Sequence, residues 1–253
     1  MKSFLFFLVL VFSVRSLSGE ESVLSKPLVI GASLADGCNR EKMFLSNRLS
    51  FDRFLDEVIV GEHEEIVIKG SMFFFWDPKK KASEQLEYAS KFDSTVVFAP
   101  DFLFWFLYGE TIGGEKKRLE NLEFGLQSLE GIKGLMVVGT IPDASAAGGG
   151  ILNHSQIPQK ETIAKANAKI KEWVAAREET ALLDLYTLSE DLREGRDMKM
   201  GEVVIPAKLA SGSLQSDKLH PTEKGVRLIA LFCLQALQEV SSFERSLVNW
   251  EVE

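Results

Sequence analysis

Two short segments near opposite ends of the chain carry the side-chain types that acyl transfer through a serine requires. The first is Gly31-Ala32-Ser33-Leu34-Ala35-Asp36-Gly37, and the second is Asp217-Lys218-Leu219-His220-Pro221. A serine hydroxyl is a poor nucleophile at neutral pH, so it needs a base that takes its proton and a carboxylate that orients the base. Ser33, His220 and Asp217 are the candidates for these three roles.

The surroundings of the 3 histidines favour His220 as the base. His63 lies in a charged turn that is typical of a solvated surface, and His154 lies in a loop that follows three glycines. His220 has an acidic residue three positions before it and a proline directly after it, where a helix is predicted to begin. The alternative that Asp217 only caps this helix remains open.

Composition and charge exclude several classes of protein. The chain has 253 residues, 45% hydrophobic and 26% charged, which favours one globular domain with a sizeable core. The net charge is −8 and the 29 basic residues form no stripe, so nucleic acid is not an expected partner. No cysteine–histidine cluster has the spacing of metal ligands, so no metal is expected.

The N-terminus has the pattern of an export signal. Lys2 precedes the apolar run Phe4-Leu5-Phe6-Phe7-Leu8-Val9-Leu10-Val11-Phe12, and small residues follow at Ser16 and Ser18. The run is short for a membrane span, so we predict a signal peptide over residues 1–18 and one domain over 19–253. The mature protein is then expected in the periplasm or outside the cell, without stable membrane insertion.

The chain has 2 cysteines, Cys38 and Cys233. An exported protein can join them in a disulfide that ties the serine segment to the last helix. Two buried free thiols are the equally weighted alternative.

Apolar β-rich runs alternate with amphipathic stretches along the predicted domain. The predicted strands are Pro27–Gly31, Ile66–Gly70, Thr95–Ala99, Gly134–Gly139 and Ala181–Leu185. The predicted helices are Arg40–Leu55, Ser83–Lys91, Gly114–Leu129, Glu161–Arg177 and Thr222–Val240. Strands separated by helices imply parallel neighbours and right-handed crossovers, so the predicted fold is a three-layer α/β/α sandwich around a five-stranded parallel sheet.

This order of elements places the polar segments at one edge of the sheet. Ser33 follows the first strand, Gly70 the second, Asp101 the third and Asp143 the fourth, while the loop that carries His220 follows the fifth. Ligands of open parallel sheets bind beyond the carboxyl ends of the strands. One cleft is therefore expected to collect these residues.

The two end segments, in this order, resemble the first and last sequence blocks of the SGNH hydrolases, also called GDSL esterases and lipases. Val29-Ile30-Gly31-Ala32-Ser33-Leu34 matches the first block, with Ala32 where an aspartate is common, and Asp217-Lys218-Leu219-His220-Pro221 matches the last. The resemblance implies a flavodoxin-like sandwich and a serine esterase that needs no cofactor. It makes Ser33 the nucleophile, His220 the base and then the acid, and Asp217 its orienting carboxylate.

In the middle blocks the family uses a glycine after the second strand and an asparagine after the third to stabilise the oxyanion with the N–H of the serine. Gly70 matches the glycine, but Asp101 stands where the asparagine is expected. Three explanations are open: Asp101 is protonated and donates a hydrogen bond, Asn153 takes over the donor role, or Asp101 serves another purpose.

The aromatic segments Phe73–Trp76 and Phe102–Tyr108 are expected to flank the cleft. They either line an acyl pocket or a sugar platform, with Trp105 in contact with substrate, or they pack in the core. The resulting hypothesis is hydrolysis of a small-molecule, glycan or lipid ester through an acyl-serine. Acyl transfer with the same residues and a non-catalytic binding domain are the alternatives.

Overall fold

The protein is described here from a computed structural model, which defines residues 22–40 and 48–252. The predicted signal peptide and the N-terminal part of the predicted helix Arg40–Leu55, including Phe44 and Leu45, lie outside these residues. No helix within the described ranges combines the length and apolar character needed to cross a bilayer.

A five-stranded parallel sheet forms the middle layer and confirms the predicted architecture. The strands are β1 Pro27–Val29, β2 Val67–Ile68, β3 Val96–Ala99, β4 Leu135–Gly139 and β5 Thr180–Leu183, and a separate antiparallel hairpin consists of β6 Met198–Met200 and β7 Val203–Ile205. The order in the sheet is β2-β1-β3-β4-β5. The chain therefore moves outward from β1 in both directions, and the point of reversal lies beside β1.

Helices cover both faces of this sheet. They are α1 Ser33–Asp36, α2 Phe51–Val58, α3 Pro78–Lys91, α4 Phe104–Tyr108, α5 Gly114–Leu129, α6 Lys160–Ala175, α7 Leu185–Glu194, α8 Ala207–Ala210 and α9 Glu223–Val240. Alternate residues of β3 point to opposite layers: Val96 and Phe98 join the core with α2 and α9, whereas Val97 and Ala99 join the core with α3 to α6. Burial on both faces explains why these strands are continuous apolar runs.

Several predicted elements have other bounds in the structure, and α4 was not predicted. The helix predicted from Ser83 already begins at Pro78. Residues 48–50 are not helical and Ser50 precedes α2, so the helix predicted to start at Arg40 occupies Phe51–Val58 where it is described. β5 ends at Leu183 rather than Leu185, because Asp184 accepts a hydrogen bond from the N–H of Thr187 and caps α7. The short helix α4 takes up most of the second aromatic segment.

Candidate active site

The serine segment turns sharply between β1 and α1, and two buried side chains hold this turn. Gln85 of α3 accepts a hydrogen bond from the N–H of Gly31 at 2.9 Å and donates one to its carbonyl at 2.8 Å. Gly31 has a φ of 144°, and a Cβ there would lie 2.2 Å from Oδ1 of Asp101, so only glycine fits. Ser33 is the first residue of α1 after this turn.

The histidine segment is shaped by its own aspartate. Oδ1 of Asp217 accepts hydrogen bonds from the N–H groups of Leu219 at 3.0 Å and His220 at 2.9 Å. Lys218, with a φ of 61°, is the only non-glycine residue in the left-handed region within the described part of the chain. The tight turn leaves Oδ2 of Asp217 free to face the imidazole.

Ser33, His220 and Asp217 form one chain of hydrogen bonds. Nε2 of His220 lies 3.0 Å from Oγ of Ser33, although the two residues are 187 positions apart in sequence. Nδ1 of His220 lies 2.7 Å from Oδ2 of Asp217. An acceptor at Nδ1 holds the ring proton there and leaves the lone pair of Nε2 facing the serine hydroxyl.

Gln215 joins the two segments that carry this chain. Its Nε2 donates to the carbonyl of Cys38 at 2.8 Å and to the carbonyl of Pro221 at 2.7 Å. Its backbone N–H donates to the carbonyl of His220 at 2.8 Å, and its Oε1 accepts from the N–H of Arg40 at 2.9 Å. Because Gln215 is buried, these bonds fix the distance between the serine segment and the histidine segment.

The contact between Asp217 and His220 determines the protonation of the site. Burial alone would lower the pKa of His220, but its hydrogen bonds to Asp217 and to the Cys38 thiol outweigh burial, and the pKa lies above its ordinary value. Burial opposes the charge on Asp217, yet the hydrogen bonds from His220 and Leu219 hold the pKa of this carboxyl below its usual range. An anionic Asp217 therefore faces an imidazole that is an unusually strong base.

The contacts of Asp101 favour the third of the open explanations, a purpose other than donating a hydrogen bond to the oxyanion. Its Oδ1 accepts a hydrogen bond from the N–H of Ala32 at 2.8 Å, and its Oδ2 accepts one from the N–H of Leu34 at 2.7 Å. The carboxylate therefore binds the backbone amides on either side of Ser33. Burial raises the pKa of Asp101 to about 6, although bonds from Ala32, Leu34 and Ala35 oppose the rise. Near neutral pH the group is mainly an anion that accepts these bonds.

Gly70 lies against α1 at the end of the segment after β2. A Cβ at this position would lie 2.8 Å from the N atom of Asp36 and 2.9 Å from Cβ of Ala35. This close approach requires glycine and brings the backbone of residue 70 beside the serine turn. Its oxyanion role stays a prediction.

An apolar cavity of about 60 Å³ adjoins the serine and the histidine. Besides Ser33, Asp101 and His220, its lining is mainly apolar and includes Leu34, Phe104, Pro142, Leu185, Leu192, Leu214, Leu219 and Ile229. Apolar walls with few polar groups are typical of a site for the hydrocarbon part of a small molecule.

Asn153 and Trp105 do not line this cavity, contrary to the prediction. Asn153 is exposed and begins a short turn, where its N–H donates to Oε1 of Gln156 at 2.9 Å. Trp105 is buried between Phe75 and Phe104 and packs as a core residue. Only Phe104 from the second aromatic segment reaches the cavity.

Sequence reasoning also missed the contributions of α7 and Cys38 to the site. Leu185 and Leu192 line the cavity from α7, whose signals are the Asp184 cap, leucines at helical spacing and Gly195 at its C-terminus. Cys38 contacts His220, and both Cys38 and Cys233 are free thiols, so the structure has the two-thiol arrangement.

Comparison with known proteins places this geometry in a fold family. A protein described as a GDSL-like lipase from Parabacteroides merdae is similar over 85% of this chain and 97% of its own, with a TM-score of 0.51 and 16% identity. The chain has the fold of the SGNH hydrolases. LAE5, an α/β hydrolase enzyme from the metagenome of Lake Arreo, Spain, is similar over 86% of this chain and 97% of its own, with a TM-score of 0.51 and 15% identity.

The SGNH fold is thus shared at low sequence identity. The chain spans 56% of the length of the protein YxiM of Bacillus subtilis, with which it shares 16% identity over 85% of its own residues at a TM-score of 0.49. No protein-family model and no curated protein matches the chain. The likeness to these solved structures therefore shows the fold alone.

Proposed function

We propose that this SGNH-fold protein is a serine esterase that hydrolyses a carboxylic ester through an acyl-serine intermediate. The observation that carries the proposal is the hydrogen-bonded chain from Ser33 through His220 to Asp217 at the wall of an apolar cavity. A hydroxyl, a base and an orienting carboxylate in contact are the arrangement that activates a serine.

The reaction follows from the contacts. Nε2 of His220 takes the hydroxyl proton as Oγ of Ser33 attacks the ester carbonyl, and Asp217 stabilises the imidazolium that forms. The imidazolium returns the proton to the leaving alcohol, and the acyl group remains on Ser33. Water then attacks the acyl-serine, His220 takes a proton from it, and the acid leaves as Ser33 regains its hydrogen.

The oxyanion of each tetrahedral intermediate needs donors on the side of Ser33 away from His220. The N–H of Ser33 is held between the two amides that Asp101 binds, and the backbone of Gly70 adjoins the same turn. We assign the oxyanion site to these two backbone groups, with Asp101 as the residue that orients the turn. Backbone donors fixed before reaction need no reorganisation when charge develops.

The cavity favours an acyl group of modest length. Its walls are leucine, proline and phenylalanine side chains, and its volume of about 60 Å³ leaves little room beside Ser33. Each methylene of the acyl group that is buried in the cavity contributes about 0.8 kcal/mol to the free energy of binding until the cavity is full. We expect kcat/KM to rise over the first members of a chromogenic ester series and to fall for long chains.

A fluorophosphonate probe tests the proposal directly. We expect labelling of the wild type and of Ser128→Ala, whose hydroxyl lies on α5 and bonds to the carbonyl of Phe124. We expect no labelling of Ser33→Ala, and a loss of ester hydrolysis of about 10⁴-fold or more, because no other group replaces the nucleophile. Absence of labelling in the wild type would leave a non-catalytic binding domain, and acyl transfer to an added sugar would identify an acyltransferase.

Export through the predicted signal peptide belongs to the same proposal. Its support is the basic Lys2 followed by the apolar run of residues 4–12. Sequencing the N-terminus of the secreted protein tests this assignment, since cleavage after Ser18 leaves Gly19 as the first residue.

A further inference from the structure

Three aromatic side chains stand exposed on the turn that follows β2. The exposed fraction is 50% for Phe73, 39% for Phe75 and 72% for Trp76. Their rings contact one another, with centroids 4.7 Å apart for Phe73 and Trp76 and 5.6 Å apart for Phe75 and Trp76. We call these three residues the aromatic patch.

The fold leaves much of the area of these three rings uncovered. Phe74, which lies between them in sequence, is fully buried and packs edge-on against Phe102 and Phe106. Phe74 therefore anchors the turn in the core, while its neighbours leave much of their apolar area in water. Contiguous exposed apolar side chains of this kind mark interaction sites.

Lysines lie directly beside the patch. Lys79 and Lys80 are exposed in the first turn of α3, and the ammonium group of Lys79 lies 4.7 Å from the ring centre of Phe124, itself 36% exposed. Lys81 is paired with Glu84. Lys79 and Lys80 have no ion-pair partner among the described residues, so they attract anions locally beside the apolar rings, although the whole chain carries a net charge of −8.

The patch lies on the catalytic side of the molecule. The N–H of Ser71 donates to the carbonyl of Gly31 at 3.0 Å, and the N–H of Met72 donates to Oδ2 of Asp36 at 2.8 Å, so the turn is bonded to the serine segment. The rings continue inward, with Phe75 packed on Trp105 and Trp105 packed on Phe104, which lines the cavity.

We propose that the aromatic patch, with Lys79 and Lys80, docks the protein onto the surface of an anionic phospholipid bilayer. Tryptophan and phenylalanine partition into the boundary between headgroups and acyl chains, and nearby lysines pair with anionic headgroups. The charged neighbours of the patch are Lys79, Lys80 and Asp77, whose Oδ1 accepts a hydrogen bond from the N–H of Lys80, so the local charge balance is positive. Docking here is peripheral and brings the catalytic edge to the lipid.

Sedimentation with vesicles tests the proposal without requiring catalysis. The protein carries Ser33→Ala, and the vesicles contain either phosphatidylcholine alone or equal parts of phosphatidylcholine and phosphatidylglycerol. We expect binding to the anionic vesicles, weaker binding to the neutral ones, and a decrease at high salt. The triple variant Phe73→Ser, Phe75→Ser and Trp76→Ser is expected to bind about tenfold more weakly.

Two further variants separate the apolar and the electrostatic contributions to vesicle binding. Lys79→Glu with Lys80→Glu leaves the rings intact and is expected to weaken binding to anionic vesicles by about tenfold while sparing the weak binding to neutral ones. The matched apolar control replaces Val203, Val204 and Leu209, which are 45%, 54% and 41% exposed, with serine. This control is expected to bind as the parent does.

Several results would overturn the proposal. They are the absence of binding to either vesicle, equal binding by the aromatic triple variant, and retention on an insoluble polysaccharide instead of vesicles. A dimer in solution that the triple variant dissociates would show that a second copy covers the patch. Hydrolysis of a water-soluble ester by each variant with Ser33 restored is measured separately, so failure of docking and failure of the esterase function are distinguishable.

Discussion

At the scale of single residues, the conformation of the serine turn depends on the carboxylate of Asp101. Asp101 accepts from the N–H groups of Ala32 and Leu34, and each bond goes to a different oxygen. A carboxylate has acceptors on both oxygens, whereas an asparagine amide has an acceptor on one side and a donor on the other. The aspartate is therefore matched to the two N–H groups that it faces.

Asp101→Asn tests this match. The amide N–H₂ would oppose one of the two backbone N–H groups, so we expect a loss of about 1–3 kcal/mol in the free energy of unfolding and a lower kcat at every pH. Urea unfolding and a pH–rate profile measure both. A variant as active as the wild type, or more so, would show instead that Asp101 acts as a protonated donor to the oxyanion.

Cys38 and His220 give a second prediction at this scale. The thiol contact helps raise the pKa of His220, and catalysis needs the neutral imidazole, so kcat/KM should rise with pH through a midpoint above the ordinary histidine value of 6.5. Cys38→Ala removes one of the raising contacts, and we expect this midpoint to move to lower pH. Cys233→Ala, a change in the buried core of α9, should leave the midpoint in place. An unchanged midpoint in Cys38→Ala would contradict the assignment.

At the scale of elements, the site is assembled by side chains that bond to backbone groups of distant segments. Gln85 from α3 fixes the turn after β1, and Gln215 from the loop before α9 ties Cys38 to Pro221. The helices and strands alone bring the segments to one edge of the sheet. The two glutamines then bring them within hydrogen-bonding distance.

Gln215→Met tests the hydrogen bonds by which Gln215 joins Cys38 to Pro221. Methionine has a similar volume but leaves the carbonyls of Cys38 and Pro221 without this donor, so we expect a loss of about 1–3 kcal/mol in the free energy of unfolding. We also expect kcat to fall more than KM changes, because the distance between Ser33 and His220 is no longer fixed. The exposed Gln127→Met on α5 is the control. A variant with reduced stability and full kcat would assign Gln215 a structural role only.

At the scale of the whole molecule, the contact between Asp217 and His220 makes the stability of the fold depend on pH. The lowered pKa of Asp217 stabilises the fold above about pH 3.8 and loses this effect as the pH falls toward its folded value. The raised pKa of His220 stabilises the fold below about pH 6.5 and loses this effect as the pH rises through its folded value. Both contributions are complete only between these limits.

Asp217→Asn should therefore lower Tm most between about pH 4 and pH 6.5, with a smaller difference from the wild type on either side. Thermal unfolding followed by circular dichroism over this range measures the difference. A difference that is constant with pH would show that the ion pair is not the origin of the stabilisation.

The sequence alone predicted the five-stranded sheet, and it singled out Ser33, His220 and Asp217, which the structure brings into hydrogen-bond contact. Five apolar runs separated by amphipathic stretches allow few arrangements other than a covered parallel sheet. The contact between Asp217 and His220 is local, since three positions separate them in one turn, and it was readable from their spacing.

Only the tertiary structure determined the other contacts of the candidate site, because these contacts join segments that are far apart in the chain. Sequence spacing did not reveal that Asp101 binds the amides beside Ser33, that Gln215 joins two loops, or that Cys38 contacts His220. Nor did it separate buried from exposed rings: Trp105 packs in the core, while Trp76 faces solvent. The sequence shows which chemical groups are present, and the packing of the folded chain determines which of these groups are in contact.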